Sequence, residues 1–192
     1  MHGSAHAKLD SEILPVNFMI INDKYKKDYD HRPVTDAKGR FKDEFYYTGE
    51  RTDLNMDAEH KKKAGIRFLL FGAAMFCTAL LPGFVEHAAS RVLWVMVPWA
   101  CCFLPSGYFL LGTFEFATNG TSLTHREYDH SIERMRNSVW GIIFLTVVNL
   151  VVAIIYSVMH FDMSELLYTA SFLPLAVVAF VCTKQELLKG KK

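Results

Sequence analysis

The stretch EHKKKAGIRFLLFGAAMFCTALLPGF, Glu59 to Phe84, has three consecutive lysines near its start, Lys61 to Lys63, and after them only one further charge, Arg67. A helix needs about 20 mainly apolar residues to cross a ~30 Å hydrocarbon core, and Ile66 to Phe84 meets that requirement. Three later stretches do the same: Val92 to Phe114, Ser138 to Met159 and Leu166 to Cys182. In a soluble protein four such runs would need amphipathic helices to cover them, and no segment is left to supply these. Backbone amides and carbonyls find no water in lipid, so the runs are expected to be helices. The reading is an all-α membrane protein with four transmembrane helices in two hairpins, 56–192, preceded by a small region, 1–55.

Lysines and arginines set the expected orientation. Lys61, Lys62, Lys63 and Arg67 precede or open the first span, Arg126, Arg134 and Arg136 lie between the second and third, and Lys184, Lys189, Lys191 and Lys192 follow the fourth. The other two connections, VEHAAS with Arg91 and HFDMSE, are nearly free of cations. The positive-inside rule then puts both termini in the cytoplasm, with Lys61, Lys62, Lys63, Arg67, Arg134 and Arg136 as membrane-surface cations. The expected location is a plasma membrane or bacterial inner membrane. No cleavable signal peptide is read, because the apolar cluster VNFMII at 16–21 is short and has no basic run ahead of it.

Composition narrows the function classes. Hydrophobic residues make up 51% of the chain, yet the first 60 are charged and polar, so the average conceals two solvents. Residues 1–65 hold twelve Lys/Arg against twelve Asp/Glu, and the whole chain carries a formal charge of +1, which argues against nucleic acid as a partner. Cys77, Cys101, Cys102 and Cys182 all lie in apolar runs with no CxxC spacing and read as small apolar fillers.

Local patterns mark two further elements. HRPVTDAKGRFKDEFYYTG places a turn, Asp36 to Gly39, between Val34-Thr35 and a segment where Phe41, Phe45 and Tyr47 alternate with Lys42, Glu44 and Tyr46, which reads as a β-hairpin with an aromatic face. The alternative is a largely disordered tail, given the charge. In the loop TNGTSLTHREYDHSIERMRNSVWG, Thr124 with Glu127 fits a capping box, so a helix is expected to start near 124 and run into the third span. A weak repeat, DAEHKKKAGIRFLLFG and EYDHSIERMRNSVWGIIF, heads each hairpin, and each second span contains proline, Pro98 and Pro105 or Pro174.

Few residues carry candidate chemistry. Asp57 with His60, and Glu127 with His130, have the three-residue spacing of metal-binding carboxylate–histidine pairs, and His125 faces Asp129 four residues on. Solvated helix faces explain these as readily, so His60, His125, His130 and Glu127 are only weak metal candidates. Asn149 is the one strongly polar side chain at the centre of a span; an interhelical hydrogen bond is its ordinary role and a polar pathway the sharper one. Pro98, Pro105 and Pro174 are candidate helix kinks. No phosphate loop, HExxH or GxSxG motif is present. The leading expectation is a small polytopic, non-enzymatic accessory or scaffold protein, with no cofactor, that self-associates or contacts another membrane or cytoplasmic protein through a cytoplasmic platform. An oligomeric small transporter or channel is the alternative, and a metal-dependent membrane enzyme the third.

Overall fold

The computed structural model describes residues 23–35, 39, 41–86, 88–160 and 162–188; the VNFMII cluster and Lys189, Lys191 and Lys192 lie outside them. The chain divides into two compact units, Met1–Arg51 and Thr52–Lys192.

In the first unit a 3-10 turn, Asp23–Asp28, leads into strand β1, Tyr29–Thr35, which pairs antiparallel with β2, Phe41–Tyr47. The register sets Tyr29 opposite Tyr47 and Thr35 opposite Phe41. This is the hairpin expected from the alternation. Of the Asp36–Gly39 turn only Gly39 is described, at φ +72, a conformation glycine adopts without penalty. The side chains of Phe41 and Phe45 fall outside the described set, so the aromatic face is seen only where Tyr47 meets Tyr29 edge-on at 5.3 Å. On the opposite face the Tyr46 hydroxyl donates to Asp30 at 2.9 Å. The His31 backbone amide and this Tyr46 hydrogen bond hold the exposed Asp30 carboxyl below its ordinary range.

The second unit is a helical bundle whose four long apolar stretches can each cross a membrane: Ala58–Phe84, Leu93–Thr118, His125–Met159 and Met163–Thr183. Only 28–33% of each apolar window is buried within the bundle. Leu70, Phe84, Leu93, Phe144 and Val158 are each more than 60% exposed, so the bundle turns its greasiest surface outward. A soluble protein rarely leaves such a continuous apolar surface uncovered.

The first and third stretches run unbroken as helices. The first contains α1, Ala58–Leu80, closed by a 3-10 turn, Leu81–Phe84. The third runs through α4, His125–Tyr128, a π turn, Asp129–Glu133, and α5, Arg134–Met159. The second and fourth are interrupted. The second consists of α2, Leu93–Cys101, and α3, Phe103–Thr118; the fourth consists of α6, Met163–Ala170, and α7, Leu173–Thr183. Proline explains both gaps, because Pro105 and Pro174 have no N–H to give the carbonyl four residues back, and their rings crowd it. The chain tightens locally instead: Cys102 N–H donates to Trp99 O at 3.0 Å, and Phe172 N–H to Thr169 O at 3.3 Å. Pro98 lies inside α2 without ending it, and the interruption falls four residues later.

The core runs along one stripe of each helix. Lys61, Gly65, Phe68, Gly72, Met75 and Ala79 form that of α1. Phe68 meets the rings of Phe116 and Phe109 edge-on at 5.7 and 6.5 Å. Gly72 lets the helices close at this crossing: a Cβ there would stand 2.5 Å from Leu110 Cδ2 and 3.1 Å from Phe109 Cδ1, and those side chains would have to shift. Trp99 Nε1 donates to Ala79 O at 2.9 Å and ties α2 to α1. The end of the bundle carrying residues 52–61, 118–134 and 183–188 is called basal below, and the end carrying 81–92 and 159–165 distal.

Candidate functional site

Ordered polar structure in the bundle gathers at the basal rim. Just ahead of α1, β3, Thr52–Asp53, pairs with β4, Ser122–Leu123, and Leu54 N–H donates to Thr121 O at 3.1 Å. Leu123 is fully buried beneath this pair. Asn55, at φ +48, turns the chain from β3 toward the helix, a conformation asparagine tolerates better than most residues.

Lys61 is the centre of the rim. Expected as a membrane-surface cation, it is instead 7% exposed. It is first in the buried stripe of α1, so its side chain is carried inward rather than out to headgroups. Its ammonium donates to Asn119 O and, at 2.7 Å, to Gly120 O, just past the C-terminus of α3. A cation suits that end of a helix, where carbonyls lack partners and the macrodipole is negative. The Phe116 ring lies 5.3 Å from the ammonium, within cation–π range. Burial pushes Lys61 below the ordinary lysine range, and the nearby Glu127 carboxylate pulls partly the other way. Lys61 precedes the apolar run that begins at Ile66, so this burial is by protein.

Glu127 belongs to the capping box expected from the sequence: Thr124 N–H donates to Glu127 Oε2 at 2.8 Å, and Glu127 N–H to Thr124 Oγ1 at 3.3 Å. The helix that starts here widens into the π turn at 129–133. Gly112 of α3 packs against that turn, with room for no side chain: a Cβ would lie 3.0 Å from Ser131 O and 2.9 Å from Met135 Cγ. π turns occur often at functional sites, and the ionisable cluster of the rim lies beside this one. Arg134 Nη1 approaches Glu115 Oε1 at 3.4 Å, Arg134 Nη2 meets His130 Nδ1 at 2.8 Å, and the guanidinium lies 6.0 Å from the Tyr108 ring. Arginine can only donate, so Nδ1 is the acceptor in this contact. Glu115 Oε2 lies 3.8 Å from the same Nδ1.

These contacts also locate the metal candidates. His60 lies 3.8 Å from Asp57, both exposed, and His125 lies 3.9 Å from Asp129. His130 has its Nδ1 turned to a guanidinium, which competes with any cation. Among the described residues no group of three or more His, Cys, Asp or Glu is placed to hold a metal ion. The remaining surface cations divide. Lys62 is exposed, Lys63 pairs with Glu59 at 2.7 Å, Arg136 with Glu133 at 3.1 Å, and Arg67 Nη1 donates to Gln185 Oε1 at 3.3 Å.

Two polar residues lie deeper. Asn149 is buried at the break between α2 and α3, its Nδ2 donating to Leu145 O at 2.8 Å and to Cys102 Sγ at 3.4 Å. That is an interhelical contact within one bundle. Glu165, near the start of α6, is only 2% exposed. Its Oε1 accepts from Ala88 N–H at 3.0 Å and ties the two distal connections together. Ser157 and Thr169 both donate to its backbone carbonyl, at 3.2 and 2.9 Å.

Comparison of the chain with protein-family models, with curated proteins and with solved structures gave no match. The reading of the rim therefore rests on its geometry.

Proposed function

We propose that the protein is a multi-pass membrane protein with both termini in the cytoplasm, and that it acts as a non-enzymatic accessory or scaffold. The N-terminal unit and the basal rim serve as its surfaces for a second copy or another protein. One observation carries this reading: the ordered polar ties of the bundle concentrate at the end where Lys61 and β3–β4 hold the 119–124 loop, while the apolar stretches face outward. A fixed loop presents a surface at low entropic cost, as a docking platform requires. The proposed orientation comes from the cation bias of the same end.

The experiment combines topology with mass. Single-cysteine variants Ala5→Cys, Ala88→Cys and Met163→Cys are exposed in intact cells to an impermeant thiol reagent, then purified in mild detergent and weighed. Positions 88 and 163 should react, position 5 should not, and the particle should exceed one chain in mass. Reaction at position 5 alone inverts the layout, and a strictly monomeric particle with no co-purifying chain overturns the scaffold role.

The transporter alternative has one observation in its favour: the prolines that interrupt the second and fourth stretches lie at similar distances from the distal end, and Asn149 sits at one interruption. Broken helices of this kind build binding sites in many carriers. Flux of ions or metabolites into reconstituted vesicles, lost in Asn149→Leu at equal expression, would support it; identical uptake by the variant and the parent retires it.

A further inference from the structure

Arg67 is the one charge inside the apolar run of the first span, and its guanidinium has a neutral partner. It is exposed, and Nη1 donates to Gln185 Oε1 of the segment that follows α7. That bond ties Arg67 of α1 to the residue that follows Lys184, the C-cap residue of α7. Lys184 is also exposed, with its ammonium 4.7 Å from the Phe180 ring. Two cations from different helices thus stand at one level of the basal rim, where α7 ends but α1 continues for more than two further turns. Of the carboxylates on these two segments, Glu59 pairs with Lys63 and Glu186 is exposed after α7. Below the cations the surface becomes apolar at once: Leu70 is 66% exposed and Phe180 58%.

Cationic heads over an apolar wall match the two ends of one molecule. A charge at the edge of lipid is costly unless headgroups or water reach it, and basic pockets between transmembrane helices on the cytoplasmic side hold anionic headgroups. We propose that Arg67 and Lys184 form a binding site for the phosphate of an anionic phospholipid whose acyl chain lies along Leu70 and Phe180. Gln185 orients the guanidinium, and a planar, forked donor on one side with a point charge on the other suits a phosphate oxygen set. The proposal rests on the membrane reading above and adds a ligand class and a place to it.

The test uses the full chain, purified in detergent and reconstituted into vesicles of phosphatidylcholine alone or with one fifth phosphatidylglycerol. Retained lipid is counted by native mass spectrometry. Phosphatidylglycerol should be retained in preference to phosphatidylcholine, with the preference falling about fivefold in Arg67→Gln or Lys184→Gln and about thirtyfold in the double variant. Lys62→Gln, an exposed cation of α1 more than one turn ahead of Arg67, should leave it unchanged, and Arg67→Lys should restore part of it. Equal retention in the parent and the double variant overturns the site. Displacement of the lipid by millimolar inorganic phosphate overturns it too, because the ligand would then be the free anion. A chain that stays out of vesicles altogether refutes the membrane reading itself, an outcome separate from loss of preference in a well-inserted protein.

Discussion

The two rims of the bundle solve one problem with opposite chemistry. At the basal rim a side-chain donor, Lys61, reaches into the end of the bundle and satisfies the carbonyls of Asn119 and Gly120. At the distal rim a side-chain acceptor, Glu165, satisfies the amide of Ala88. Each heads the buried stripe of its own helix, and each binds the connection leading out of a different helix. Each tie pins a connection of the bundle from a side chain rooted in its core. Loop backbone needs hydrogen-bond partners where water is scarce, and a long ionisable side chain anchored in the core can provide one.

Breaking the basal tie should have the larger effect. Lys61→Met keeps the length of the stem but removes both hydrogen bonds to the 119–120 carbonyls. Bonds involving charged groups contribute about 1.5–3 kcal/mol, so a loss of about 2–3 kcal/mol is expected, read as a lower thermal midpoint in detergent. Protease sensitivity should appear at 119–124; a variant as stable and resistant as the parent would show that the β3–β4 pair holds the loop alone. Glu165→Leu should cost less, about 1–2 kcal/mol, since the bond to Ala88 is removed and the amide of the exposed Ala88 can turn to water. Faster hydrogen exchange at Ala88, with residues 119–124 unaffected, is the measurement that separates the two rims. Exchange spreading to the basal loop would mean the rims are coupled through the helices rather than independent.

Much of this fold was legible in the sequence. The four apolar stretches, the hairpin at 29–47 and the Thr124–Glu127 capping box follow from composition, alternation and local spacing. The helices extend beyond the apolar counts, most of all at 125–137, because a polar helix end carries no hydropathy signal. The rim contacts were not read, since their partners are remote: Lys61 and Asn119 are 58 positions apart, Ala88 and Glu165 77. A usable signal did exist. Lys61, Gly65, Phe68, Gly72, Met75 and Ala79 repeat at alternating four- and three-residue steps, as do Glu165, Tyr168, Phe172, Leu175, Ala179 and Cys182. Extending either stripe past its last apolar member would have marked the ionisable residue as buried. The π turn and the Arg134–His130–Glu115 contact had no comparable signature.

The π turn at 129–133 has a consequence for how the long helix is phased. A π turn accommodates one residue more than an α turn, and each α-helical residue advances the azimuth by about 100°. The segment ahead of it is therefore clocked differently from the segment behind it, like two gears meshed one tooth apart. With α5 indexed to the apolar interior, a single residue of slack sets the alignment between the apolar shaft and the polar collar that carries the Thr124–Glu127 capping box.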